Sequence, residues 1–199
     1  MLPEEELHKV LPDLPLIPAT GPWTRAIELV HLRKPEPEPL WAGEGSSRFS
    51  PGGAFRRLYL SSDPTTALKE TQAVFGQQAV RNPPWALITV EGFLQAVLDL
   101  SDPALQARLG TSLSELTGNW KYAEHLWSLG KGPMPPTQSL GSAAYQTGRI
   151  QGLSFHSAKN TGQGSNLLVF LDRLVPGEAS FLKVYDPAGA LRGQIPGTP

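Results

Sequence analysis

Apolar positions at Ala67, Leu68, Thr71 (through its methyl group), Val74 and Phe75 fall at i, i+1, i+4, i+7 and i+8, the spacing of one face of an α-helix. Asp63-Pro64 just upstream offers an N-cap and a proline suited to the first helical position, so a helix is predicted from there to about Phe75. Glu70 lies about 100° from the centre of that face, at its margin, where a carboxylate can reach a cleft without being forced into the core. Strand-like runs flank this helix. Residues 26–32 read as a first strand, ended by the Pro-Glu-Pro-Glu-Pro run at 35–39; residues 56–61 read as a second and residues 85–90 as a third.

Asp102-Pro103 opens another predicted helix that stops at Gly110, and residues 120–129 and 137–147 read as further helical segments. Residues 152–157 and 166–171 form two strands around the glycine-rich loop Thr161-Gly162-Gln163-Gly164. Residues 181–185 and 190–195 flank Asp186-Pro187-Ala188-Gly189, a hairpin-type turn. Strands thus gather at the two ends with helices between and no repeating βαβ rhythm, which predicts the α+β class. Residues 1–22 hold five prolines, too many for a continuous helix, and are expected to lie across the surface as an extended arm.

With 199 residues the chain fits one domain able to bury roughly 70% of its unfolded surface. Its 20 Gly and 20 Pro stay below the share that marks disorder, so they read as many turns between short elements. Seventeen basic and 18 acidic residues give a net charge of −1, and no basic tract exceeds Arg33-Lys34 or Arg56-Arg57. That is not the concentrated positive footprint of a nucleic-acid binder. The absence of Cys excludes disulfides, thiolate zinc sites and iron–sulfur clusters, and suits a reducing compartment. An acidic start at Glu4-Glu5-Glu6 and the lack of a long apolar run lead to the expectation of a cytoplasmic protein, neither secreted nor membrane-bound.

Several common motifs fail. Gly130-Lys131-Gly132 lacks the spacing of a P-loop, and Gly162-Gln163-Gly164 leads into a strand rather than a helix. His8, His31, His125 and His156 share no metal-site spacing, and no Gly-x-Ser-x-Gly elbow accompanies Ser154 or Ser157. What remains is a set of three scattered stretches: Ser47-Arg48-Phe49-Ser50-Pro51, then Leu58-Tyr59-Leu60 running to Ala67-Leu68-Lys69-Glu70, and Gly152-Leu153-Ser154-Phe155-His156-Ser157-Ala158. Each residue alone has an ordinary structural explanation; their order carries the signal.

That order, an Arg before a glycine-rich turn, a Glu on the next helix and a Ser at the end of a later strand, resembles the RES domain family over residues 27–174. The domain is expected over residues 23–199. The resemblance implies a split, two-sheet α+β fold like that of ADP-ribosyltransferases, with NAD as substrate held in a cleft. It also implies a bacterial toxin that depletes NAD by hydrolysis or phosphorolysis of the nicotinamide–ribose bond, restrained by a cognate Xre-type antitoxin. A homodimer and the absence of a metal or resident cofactor are further expectations. In such a site Glu70 would stabilise an oxocarbenium-like ribose. Arg48 would grip the pyrophosphate through a planar fork, and Tyr59 would stack on nicotinamide. Ser157 would contact the substrate or hold Glu70. The family also carries an Arg on its first strand; here either His31 or, two residues on, Arg33 would take that place. Two alternatives stay open: transfer of ADP-ribose to a protein, and a degenerate domain kept only for binding its partner.

Overall fold

The computed structural model describes residues 1–34, 38–43, 45–75, 84–191 and 193–196. Residues 35–37 of the Pro/Glu run, Glu44, and the side chains of Val74 and Phe75 that complete the expected apolar face lie outside the described residues.

The chain runs α1 (Glu4–Val10), β1 (Ile17–Thr20), β2 (Trp23–Glu28), α2 (Leu29–Leu32), β3 (Arg57–Ser61), α3 (Pro64–Phe75) and β4 (Trp85–Asp99). It continues with α4 (Pro103–Arg108), α5 (Leu113–Thr117), α6 (Trp120–Ser128), α7 (Pro136–Gln146), β5 (Gly152–His156), β6 (Ser165–Phe170), β7 (Phe181–Val184) and β8 (Gln194–Ile195). The expected α+β class is what forms.

One long strand organises the sheet. One edge of β4 pairs antiparallel with β2 at its start and β1 further along; its other edge takes β7 antiparallel and then β5 in parallel. From β5 the order continues through β6 and β3 to β2, which returns to β4, so five strands close on themselves. Strand alternation then sorts side chains onto two faces. Leu58, Leu60, Leu167, Val169, Ile27, Val90 and Leu94 make one core. Phe155, Leu153, Leu168 and Phe170 make the other, with Leu140, Ala143 and Ala144 of α7 and Leu7, Leu11 and Leu14 of the N-terminal segment.

Several expectations change here. Residues 1–22 are not an extended surface arm: they hold α1 and β1, and Leu7, Leu11 and Leu14 are fully or almost fully buried, which places them in the core. The first strand begins earlier than expected and ends at Glu28, after which residues 29–32 turn into α2, with the Leu29 N–H donating to Pro84 O at 2.8 Å. The third strand runs on past residue 90 to Asp99, because both of its edges find partners far away in sequence. The turn at Asp186 forms as read, with the Gly189 N–H donating to Asp186 O at 3.1 Å, but the returning strand β8 shortens to Gln194–Ile195.

Helix α3 starts as its capping pair predicts. Asp63 Oδ1 accepts the Thr66 N–H at 2.9 Å and Oδ2 the Thr66 hydroxyl at 2.6 Å. Its inward face, however, centres on Thr66, Ala67 and Glu70, while Leu68 is 40% exposed. Polar packing turned the helix: Thr66 accepts from Asn160 Nδ2 at 2.8 Å, and Gly164 approaches so closely that a Cβ there would lie 2.0 Å from the Thr66 hydroxyl.

Candidate active site

A single rung of paired residues crosses the sheet: Thr24 of β2 opposite Ser61 of β3, Ser61 opposite Asn166 of β6, and Asn166 opposite Phe155 of β5. All four line one cavity of about 750 Å³, walled by Ala67, Glu70 and Thr71 of α3 and roofed by residues 117–121 at the corner between α5 and α6. Arg48, Tyr59 and Lys159 are also part of the lining. The three stretches that stood apart in sequence therefore converge.

Glu70 enters from α3 and is held on one oxygen. Its Oε1 accepts the Ser157 hydroxyl at 2.6 Å and the Asn166 amide at 2.8 Å. Ser157 is itself fixed, because its oxygen accepts the backbone N–H groups of Lys159 at 3.1 Å and Asn160 at 2.9 Å. The loop that supplies these N–H groups is tied back to α3 by Lys69, which donates to Asn160 Oδ1 at 2.7 Å. Ser157 is 1% exposed, does not line the cavity, and donates its hydroxyl to Glu70.

Arg48 is anchored by its neighbour. Phe49 is fully buried, tilted against Phe155 at 4.6 Å between ring centres. The chain there is pressed onto Gly141 of α7, where a Cβ would sit 1.8 Å from Phe49 O. The Arg48 guanidinium spends Nη1 on two carbonyls, Leu116 O at 2.9 Å and Gly118 O at 2.8 Å, which fixes the α5–α6 corner and leaves Nε and Nη2 for other acceptors. Burial lowers its pKa, while the charge of Glu70 across the cavity and Tyr59 raise it; the group stays cationic at neutral pH. The loop around Arg48 is thus pinned rather than free.

Tyr59 exchanges a hydrogen bond with Ser47 at 2.9 Å and sets its ring edge-on to Phe155. Burial raises its pKa first of all, so the phenol remains neutral. Behind it, Gln138 of α7 donates from Nε2 to Ser47 O at 2.9 Å and to Glu124 of α6 at 3.0 Å, and Ser46 also bonds Glu124.

His31 and Arg33 do not join this site. His31 sits on α2, stacked on Trp41 at 5.1 Å, and Arg33 is the residue after that helix; neither lines the cavity. The strand that was to put both on one face has already ended at Glu28. The arginine actually on the first paired stretch is Arg25. It alternates away from the cavity-lining Thr24 and Ala26, and its Nη2 donates to Trp41 O at 2.7 Å. Burial lowers its pKa to about 10. Sequence reasoning missed Trp85 and the Asn119-Trp120-Lys121 corner, which also line the cavity. Asn166 was read only as part of a strand. Among the described residues, no cluster of three or more His, Asp or Glu is arranged to hold a metal.

A curled mixed sheet with a carboxylate, an arginine and an aromatic ring lining one cleft defines the α+β class of this domain. The sequence model of the RES domain matches residues 22–188, and the chain belongs to that family. Among solved structures it resembles a chain in the crystal structure of the M. tuberculosis MbcT–MbcA toxin–antitoxin complex. The two superpose with a TM-score of 0.67 at 22% identity, covering 92% of this chain and 90% of that one. No curated protein sequence matches it.

Proposed function

We propose that the protein cleaves the nicotinamide–ribose bond of NAD, and that it is the toxin of a toxin–antitoxin pair. The observation that carries this reading is Glu70, a carboxylate with one oxygen tied to Ser157 and Asn166 that lines a cleft of about 750 Å³. When the C1′–N bond breaks, its electron pair returns to the nicotinamide ring and cancels the pyridinium charge, so little acid catalysis is needed. The positive charge that develops is on the ribose, and a fixed carboxylate lowers its energy. The Nε and Nη2 groups of Arg48 match the bidentate geometry of a pyrophosphate, and Tyr59 offers an aromatic face. Water attacking C1′ gives ADP-ribose and a proton; phosphate gives the 1-phosphorylated sugar.

The toxin role rests on membership of the RES family and on likeness in fold to a component of the MbcT–MbcA toxin–antitoxin complex. An Xre-type antitoxin, a homodimeric assembly and a cytoplasmic setting belong to this proposal. Among the described residues, no helix is long and apolar enough to cross a membrane.

One observation favours a second reading, a domain retained only for partner binding: β2 lines the cavity through Thr24 and Ala26, and neither Arg25 nor His31 nor Arg33 reaches it. Incubating the purified chain with NAD, with and without phosphate and with a cell lysate, and identifying products by mass separates the cases. Free nicotinamide with ADP-ribose or its 1-phosphate supports the proposal. Label transferred to lysate protein makes it a transferase, and intact NAD leaves the partner-binding reading.

A further inference from the structure

Glu70 does not merely sit in the cleft; its two oxygens are made unequal by a residue outside the Arg, Glu and Ser signature. Asn166 is 6% exposed and spends its whole amide. Nδ2 donates to Glu70 Oε1 at 2.8 Å, and Oδ1 accepts the Ser61 hydroxyl at 2.8 Å. An ionised carboxylate only accepts, so Glu70 requires the NH2 side of the Asn166 amide, and the Ser61 hydroxyl donates to the Oδ1 left facing it and steadies the amide. With Ser157 donating at 2.6 Å to the same Oε1, that oxygen has two donors, and among the described residues none reaches Oε2. The pairings of Ser61 with Asn166 and of Asn166 with Phe155 fix this relay through sheet register, so its geometry is set by the backbone of β3, β6 and β5.

We infer that Asn166, steadied by Ser61, is a positioning residue that locks Glu70 through Oε1 and reserves Oε2 for the substrate. The inference rests on the NAD-cleaving reading for its catalytic consequence, while the lock is a property of the folded protein alone. The charged or titratable groups around Glu70 are Arg48, Tyr59 of β3, Lys121 at the start of α6 and Lys159 after β5, all lining the same cavity, with Lys69 on its own helix committed to Asn160. None of these is altered by changing Asn166.

Asn166→Asp keeps the shape but replaces the donor with an acceptor that repels Glu70. Ser61→Ala leaves Asn166 in place and removes the hydrogen bond that steadies its amide. Both variants are read by thermal melting, by NAD kinetics, and by 13C NMR titration of the Glu70 carboxyl, which needs no substrate. Asn166→Asp is expected to lower kcat about 10- to 100-fold with KM within about twofold, the scale of a misplaced reacting group. The same variant should move the Glu70 carboxyl titration to higher pH, since an ionised form that loses a donor and gains a like charge is disfavoured. Ser61→Ala should show the same changes, smaller, with a melting temperature near wild type. A titration shift without any NAD turnover by wild type supports the lock and overturns the NAD reading. Wild-type turnover with the titration unmoved in both variants overturns the lock and leaves the NAD reading standing. If Asn166→Asp fails to fold, an unmoved titration in Ser61→Ala overturns the lock by itself.

Discussion

Arg48 shows how one side chain can serve the fold and the site together. Nη1 closes the α5–α6 corner through Leu116 O and Gly118 O, and the rest of the guanidinium faces the cavity. Lysine has neither the second nitrogen nor the planar fork, so Arg48→Lys should raise KM for NAD at least about tenfold, with a smaller effect on kcat. Steady-state kinetics on the variant checks this, and an unchanged KM would make Arg48 a purely structural tether. By contrast, His31→Ala and Arg33→Ala should leave NAD turnover within about twofold, because neither residue lines the cleft. His31→Ala should still lower the melting temperature, since its ring stacks on Trp41. Turnover lost in either variant at full stability would place that residue at the substrate after all.

At the scale of elements, local signals were the legible ones. Asp63-Pro64 and Asp102-Pro103 announce helix starts because capping acts within a single turn, and both caps form: Asp63 accepts from Thr66 and Asp102 accepts the Ala104 N–H at 2.8 Å. Hydrogen bonds from Thr66, ahead of the smaller opposing effect of burial, lower the Asp63 pKa. A depressed carboxyl stabilises the fold above its ordinary range and loses that contribution as pH falls through the folded value. Asp63→Ala should therefore cost about 0.5–2 kcal/mol near neutral pH, and its melting temperature should converge on that of wild type in acid. Melts across a pH series test this; a constant gap would contradict it. The break of the first strand at Glu28 and the rotation of Leu68 out of the core were not legible, since each depends on partners distant in sequence, Pro84 in one case and the loop at Asn160 and Gly164 in the other. Gly141 is a third such case. Only the contact with Phe49 explains a glycine inside α7, and Gly141→Ala should destabilise by on the order of 1–3 kcal/mol while loosening Arg48.

Over the whole molecule, the closing of five strands on themselves brings Arg48 and Glu70 to one cavity, with Ser157 bonded to Glu70, and it also draws in residues that no local pattern marks. The signature residues were readable because family order names them; Trp85 and the Trp120-Lys121 corner were not, because they reach the cavity only through long-range pairing and the tether from Arg48. The N-terminal segment was misjudged for a related reason. Its prolines do prevent a continuous helix, yet Leu7, Leu11 and Leu14 still find a core that includes Leu140, Ala143 and Ala144, more than a hundred positions away. Leu7→Ala should cost about 2–5 kcal/mol, as for other fully buried leucines, which chemical denaturation would measure. The central claim is that Glu70 is the group that makes the cleft reactive toward NAD. It is tested most directly by comparing nicotinamide release from NAD by wild type and by Glu70→Gln, with thermal melts run alongside. The swap keeps size and removes charge, so release should fall by about a thousandfold or more, several kcal/mol of barrier, at an essentially unchanged melting temperature. Release at the wild-type rate from the Gln variant, or none from wild type, would contradict it.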